Sequence, residues 1–221
     1  MGARIITITS GKGGVGKTTF TGCTAQALAL TGHRVLAIDN DSQHNLSTML
    51  GTGVHRPGIR DVYREDISQA PSMFLKSVRQ SGVPGLHVVT SNRELCDDDV
   101  KDRMFLKQCL DRCGLQRYYD VILIDNAPGM DRLQAASICA CDEIFVPTEL
   151  RQFAIDGIAE MESILQERYP QAGRITKIIP NFYRDTKRQN SFIAALRTMF
   201  PGKVIDTPIP LDNVFDELIT E

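Results

Sequence analysis

The sequence predicts an α/β fold, a mostly parallel twisted sheet with helices on both faces. Short apolar runs of strand length alternate with amphipathic stretches of helix length from end to end. That alternation requires crossover connections, and hence parallel strands covered on both sides. The chain has 221 residues, 42% of them apolar, enough for one well-filled core. Residues 1–221 are therefore read as a single domain.

Residues 4–9 open the chain as a strand buried on both faces. A glycine-rich stretch follows, then a helix over 18–31 that Gly32 ends, then a second strand over 34–38. Residues 53–81 are the least regular. Pro57, Gly58 and Pro71 interrupt an otherwise apolar series, which reads as loops with short helices. Further strands are expected over 86–90, 120–124, 143–147, 175–180 and 204–208. Helical patterns lie near 104–113, 132–139, 155–168 and 192–199. In such sheets ligands gather at the carboxyl ends of the strands.

Composition narrows the function classes. The net charge of −2 argues against a protein that is basic or acidic throughout. No apolar run approaches the ~20 residues of a membrane span. The first residues run straight into a strand with no signal-peptide layout, so the expected compartment is the cytoplasm. Cys23, Cys96, Cys109, Cys113, Cys139 and Cys141 show no zinc spacing, and they read as small buried apolar residues with reduced thiols.

The first strand leads into Ser10-Gly11-Lys12-Gly13-Gly14-Val15-Gly16-Lys17-Thr18-Thr19. Gly11 through Thr18 meet the pattern G-x-x-x-x-G-K-[ST], with a strand before and a helix after. Glycines allow close backbone approach to a phosphate, and the helix start adds partial positive charge. Lys17 is expected to reach the β- and γ-phosphates and the Thr18 hydroxyl to ligate Mg²⁺. The chain therefore reads as a single-domain P-loop NTPase that uses ATP and Mg²⁺. Two further strands end in acids: Asp39 and Asp41 after the second, Asp125 after the run Val121-Ile122-Leu123-Ile124. Such a site needs acids to hold the metal and its waters, and a group to position the attacking water.

Lys12, a second lysine inside the loop, carries a resemblance. Lys12-Gly13-Gly14-Val15-Gly16-Lys17-Thr18-Thr19 resembles the deviant Walker A signature of the ParA/MinD ATPases. The resemblance implies that ATP closes two subunits face to face and that Lys12 crosses to the partner's ATP. Asp39-Asn40-Asp41-Ser42-Gln43-His44-Asn45 is similar to the family's D-x-D-P-Q-G-N, with Ser42 for proline and His44 for glycine. It implies that Asp41 orients the water and that Asp39 sits near the metal's outer shell. Asp125 resembles the Walker B acid holding Mg²⁺ through water, followed by a modified switch, Asn126-Ala127-Pro128-Gly129. By the same resemblance Asn181 and Pro210 flank the adenine. The catalytic set implied is Lys12, Lys17 and Asp41, and the nucleotide-binding set runs from Gly11 to Thr19 with Asn181 and Pro210. The nitrogenase iron protein shares the loop, but its cysteine after the Walker B acid is absent here, where Asp131, Arg132 and Leu133 stand.

Charge is uneven. From residue 174 to 203 there are seven basic residues against one acid, a local +6 that leaves −8 elsewhere. Such a patch binds phosphate backbones without reading sequence, and Arg184, Lys187 and Arg188 are its candidate DNA contacts. ParA-type dimers bind bulk DNA in the ATP state and are released by a partner of the ParB type. The implied role is partition or positioning of DNA or another cytoplasmic cargo, with nucleoid association. The alternative is a MinD-like regulator acting on a protein partner without DNA. A metabolic ATPase on the same scaffold ranks last, because no second substrate site is evident. MinD proteins end in a basic membrane helix, whereas residues 211–221 here are acidic, so direct membrane binding is not expected.

Overall fold

A computed structural model describes residues 2–129, 131–151 and 153–212. Its strands are β1 (Arg4–Ile8), β2 (Val35–Asn40), β3 (Val78–Gln80), β4 (Leu86–Val89), β5 (Val121–Asn126), β6 (Glu143–Glu149) and β7 (Arg174–Asn181). They form one sheet in the order β3-β4-β2-β5-β1-β6-β7, and every pair is parallel except β3 with β4. The helices are α1 (Lys17–Leu30), α2 (Asn45–Met49), α3 (Ile59–Arg64), α4 (Ala70–Ser77), α5 (Phe105–Cys113), α6 (Arg132–Ala140), α7 (Ala154–Arg168) and α8 (Lys187–Met199).

The two-residue period of the strands divides the core into two layers. Leu36 and Ile38 of β2, with Ile122 and Ile124 of β5, face the layer built with α3 to α8. Val35, Ala37 and Leu123 face the other, closed by Ala25 and Ala29 of α1 and by Leu46 and Leu50 near α2. Every residue of β2 is buried, which explains its uninterrupted apolar run before Asp39.

The strand order puts the site together. β5 lies between β1 and β2, so the loop after β1 faces the ends of both neighbours. In register, Ile8 pairs with Asp125, Asp125 with Asp39, and Asn126 with Asn40. Residues as far apart as Ile8 and Asp125 thus reach one carboxyl edge.

Four expectations are corrected. Residues 204–208 form no strand. Segment 203–211 instead follows the outer edge of β7 through two isolated bridges, Ile178 with Val204 and Tyr183 with Pro210. Ile205 and Ile209 donate to β7 carbonyls, but Pro208 and Pro210 have no N–H to continue the ladder. α8 begins at Lys187, five residues before the apolar pattern shows it, because Thr186 caps it by accepting from the Gln189 N–H at 3.2 Å. Residues 53–81 contain α3 and α4 as expected short helices but end in β3, a three-residue antiparallel edge too short to show a period. Cys96 is exposed, not buried. Most of the acidic end, residues 213–221, lies outside the described residues.

Candidate active site

α1 begins at Lys17 directly behind the glycine loop. Its N-cap, Gly16, has φ 85° and no side chain to satisfy the first N–H groups, and no acid stands in the first turn. A helix start left open in this way presents its orphan donors and its positive dipole end to an anion. Gly14 also has positive φ, 71°. Gly16 is constrained a second time, since a Cβ there would fall 2.2 Å from Asn181 Nδ2.

The two loop lysines part company. Lys17 is 6% exposed. Its Nζ lies 3.4 Å from both Ser10 Oγ and the Lys12 carbonyl oxygen. Burial pulls its pKa down, opposed by the charges of Asp125 and Asp41. The side chain of Lys12 instead leaves the loop, and its Nζ stands 5.6 Å from the ring centroid of Phe153.

Asp125 is fully buried at the end of β5. The Thr18 hydroxyl donates to its Oδ2 at 2.7 Å and the Thr21 hydroxyl to its Oδ1 at 3.1 Å. Burial, and then the charge of Asp39, push its pKa up to about 7, while the two hydroxyls and Lys17 pull the other way. Asp39 is also fully buried, and its Oδ2 accepts from the Ser47 N–H at 2.8 Å and the Ser47 hydroxyl at 2.6 Å. Burial raises its pKa to about 6 against those bonds. The Asp41 carboxylate accepts from the Gln43 N–H at 2.9 Å, and its backbone carbonyl from the His44 N–H at 2.9 Å. Thr18, Asp39 and Asp125 offer only hard oxygen donors, and two neighbouring buried carboxylates lack a full countercharge. Both features fit Mg²⁺.

Asn181 is buried and donates to the Val15 carbonyl at 2.9 Å, so it braces the loop. Pro210 is exposed and bridged to Tyr183. Thr19 is half-buried in the first turn of α1. Arg184, Lys187 and Arg188 are exposed around the start of α8. The wider basic stretch is not one face, since Lys203 pairs with Glu162 and Arg197 donates to the Asp206 carbonyl.

Sequence reasoning missed several partners. Thr21 follows Thr18 by three on a helix, a spacing that could have shown it. Ser47 had no signal. Asn40 and Asn126 each follow a strand-end acid. Asn40 Nδ2 donates to Asn126 Oδ1 at 2.9 Å, Ser137 donates to the same oxygen at 2.7 Å, and Tyr63 OH donates to Asn40 Oδ1 at 3.1 Å. This buried network ties the ends of β2 and β5 together behind the carboxylates.

A profile described as an AAA domain matches residues 3–174. The chain is 28% identical over 217 residues to the chromosome partitioning protein ParA of Caulobacter vibrioides, covering 94% of this chain and 80% of that protein. Among solved structures it is similar to a plasmid partition protein from Borrelia burgdorferi, with TM-score 0.80 and 18% identity over 99% of this chain and 97% of the other. It is also similar to the septum site-determining protein MinD of Pyrococcus horikoshii, complexed with Mg-ADP, with TM-score 0.76 and 24% identity over 98% and 85%.

Proposed function

The chain belongs to the ParA/MinD family of P-loop ATPases, and from that premise we propose that it is an ATP-dependent dimerising switch that partitions or positions DNA or another cytoplasmic cargo. The observation that carries the reading is the opposite fate of the two loop lysines. Lys17 is buried within its own loop, whereas Lys12 is turned outward, where a second subunit can take it up.

The proposed division of labour joins the site's geometry to the roles that the family resemblance implies. The open start of α1 and the backbone from Gly11 to Thr19 bind the triphosphate, with Lys17 at its β- and γ-groups. Thr18 and Asp125 hold Mg²⁺, with Asp39 behind them, and the ion when bound screens phosphate charge. Asp41 orients the attacking water, its carboxylate steadied by the Gln43 N–H and its backbone carbonyl by the His44 N–H. Asn181 and Pro210 flank the adenine. Lys12 reaches the partner's nucleotide. Hydrolysis then separates the subunits, accelerated by a partner of the ParB type. Arg184, Lys187 and Arg188 contact DNA phosphates in the dimer, which places the protein in the cytoplasm on the nucleoid.

The test is binding to unrelated duplex DNA by the Asp41→Ala protein, with ATP, with ADP and without nucleotide, across a salt series. Binding confined to ATP is expected. With about three phosphates per subunit, the slope of log affinity against log salt should be near −5 for the dimer. ATP-dependent dimers that bind no DNA in any state would reject the DNA arm.

One observation favours a second reading. Lys203 and Arg197 are engaged within the chain, which leaves a narrow basic surface. A MinD-like regulator that uses the same switch on a protein partner needs no more than that, and DNA-free dimers would select it.

A further inference from the structure

The loop uses the carbonyl of Lys12 but not its side chain. That carbonyl accepts from Ser10 Oγ at 2.7 Å and from Lys17 Nζ at 3.4 Å. The ammonium stands over Phe153, 5.6 Å from the ring centroid. Phe153 immediately precedes α7, at the carboxyl end of β6, on the same sheet edge as the phosphate loop. It is 66% exposed, so the core has little use for its ring, and it makes no other ring contact among the described residues. No acid competes for the ammonium: Lys12 forms no ion pair among the described residues, and Glu149, near Phe153 in the chain, is held by Arg151 at 2.5 Å.

We propose that Phe153 is a positioning residue for Lys12. It seats the ammonium against its own subunit, and that seat must be vacated before Lys12 can reach a second copy's nucleotide. Phe153 thereby sets the threshold for closing the dimer. The seat is independent of the dimer reading, and only its consequence rests on that reading. An exposed cation–π contact is worth roughly 2- to 5-fold in an equilibrium constant. Each of the two subunits gives one up, so the dimerisation constant should move by about 5- to 30-fold. The order of ring strength is Trp above Phe, with none for Leu.

The experiment compares wild type, Phe153→Leu and Phe153→Trp as full chains. In nucleotide-free protein with isotope-labelled lysine, ring shielding should move the Lys12 ε-methylene protons upfield in wild type. The shift should grow in Phe153→Trp and vanish in Phe153→Leu. In an Asp41→Ala background with ATP, sedimentation equilibrium should give a dimer about 5- to 30-fold tighter for Phe153→Leu and weaker than wild type for Phe153→Trp. Unshifted Lys12 protons in wild type overturn the seat. Shifted protons with one dimerisation constant across the series overturn its role as a threshold. If no variant dimerises with ATP, the dimer reading above fails with the threshold, and the resonances alone decide the seat.

Discussion

At Gly16 two requirements coincide: a φ of 85°, and a space that Asn181 Nδ2 closes to 2.2 Å from any Cβ. Left-handed backbone costs a side chain about 1–2 kcal/mol, and the clash adds overpacking of about 1–3 kcal/mol. Gly16→Ala should therefore displace Asn181 from the Val15 carbonyl and abolish ATP binding. Titration calorimetry showing wild-type affinity would contradict this. His44 shows the reverse situation. It stands where the family pattern has glycine, and its φ is 46°. Its ring Nδ1 is buried with no hydrogen-bond partner among the described residues. His44→Gly removes the left-handed penalty and adds glycine's smaller entropic cost, for a net gain of about 0.5–1 kcal/mol. The urea midpoint should rise with an unchanged m-value. A lower midpoint would mean that the imidazole makes good more than the backbone loses.

The ends of β2 and β5 act as one element, since Asp39 and Asp125 are register partners. Their folded pKa values, about 6 and about 7, lie above the ordinary 3.8. Between about pH 4 and 7 the folded chain therefore holds protons that the unfolded chain has released. Their contribution to stability is complete below that window and is lost as pH climbs through it. Nucleotide-free protein should lose stability from pH 5 to pH 8, and Asp125→Asn, neutral throughout, should flatten the decline. Urea denaturation at both pH values checks this, and an equal decline in the variant would exonerate the pair. α8 carries a different burden. Lys187 and Arg188 occupy its first turn with no acid in that turn, against the positive end of the helix dipole. Each such cation costs about 0.3–1 kcal/mol. Arg188 recovers part of that cost over the Phe192 ring, 5.8 Å from its centroid, so Lys187→Ala alone should be the more stable variant. The double variant Lys187→Ala, Arg188→Ala should lower the DNA salt slope by about 2 per subunit. An unchanged slope would remove both residues from the phosphate contacts.

Across the whole molecule, parallel strands place the loops after β1, β2, β5, β6 and β7 on one edge. Lys12, Asp41, Asp125, Phe153 and Arg184 share it, so phosphate chemistry and any face offered to a second copy are the same surface. Asp41→Ala should trap an ATP-bound dimer visible by light scattering. A variant that stays monomeric in ATP would sink the face-to-face arrangement. No helix among the described residues is long and apolar enough to cross a membrane.

The sequence alone determined the α/β alternation, the phosphate loop and the three strand-end acids. Those signals are local: a two-residue period, glycines at fixed offsets, an acid closing an apolar run. The antiparallel edge β3 and the early start of α8 were hidden, because three residues show no period and a polar first turn shows no apolar stripe. Only the tertiary structure decided which partners each acid meets. Asp125 meets Thr18 across 107 residues, and Asn40 meets Asn126 across 86, through a strand order that no local pattern encodes. It also decided how the two loop lysines differ. They are alike in sequence, but burial beside Asp125 and Asp41 keeps one inside, while the ring of Phe153, brought from 141 residues away by the β6–β1 pairing, receives the other.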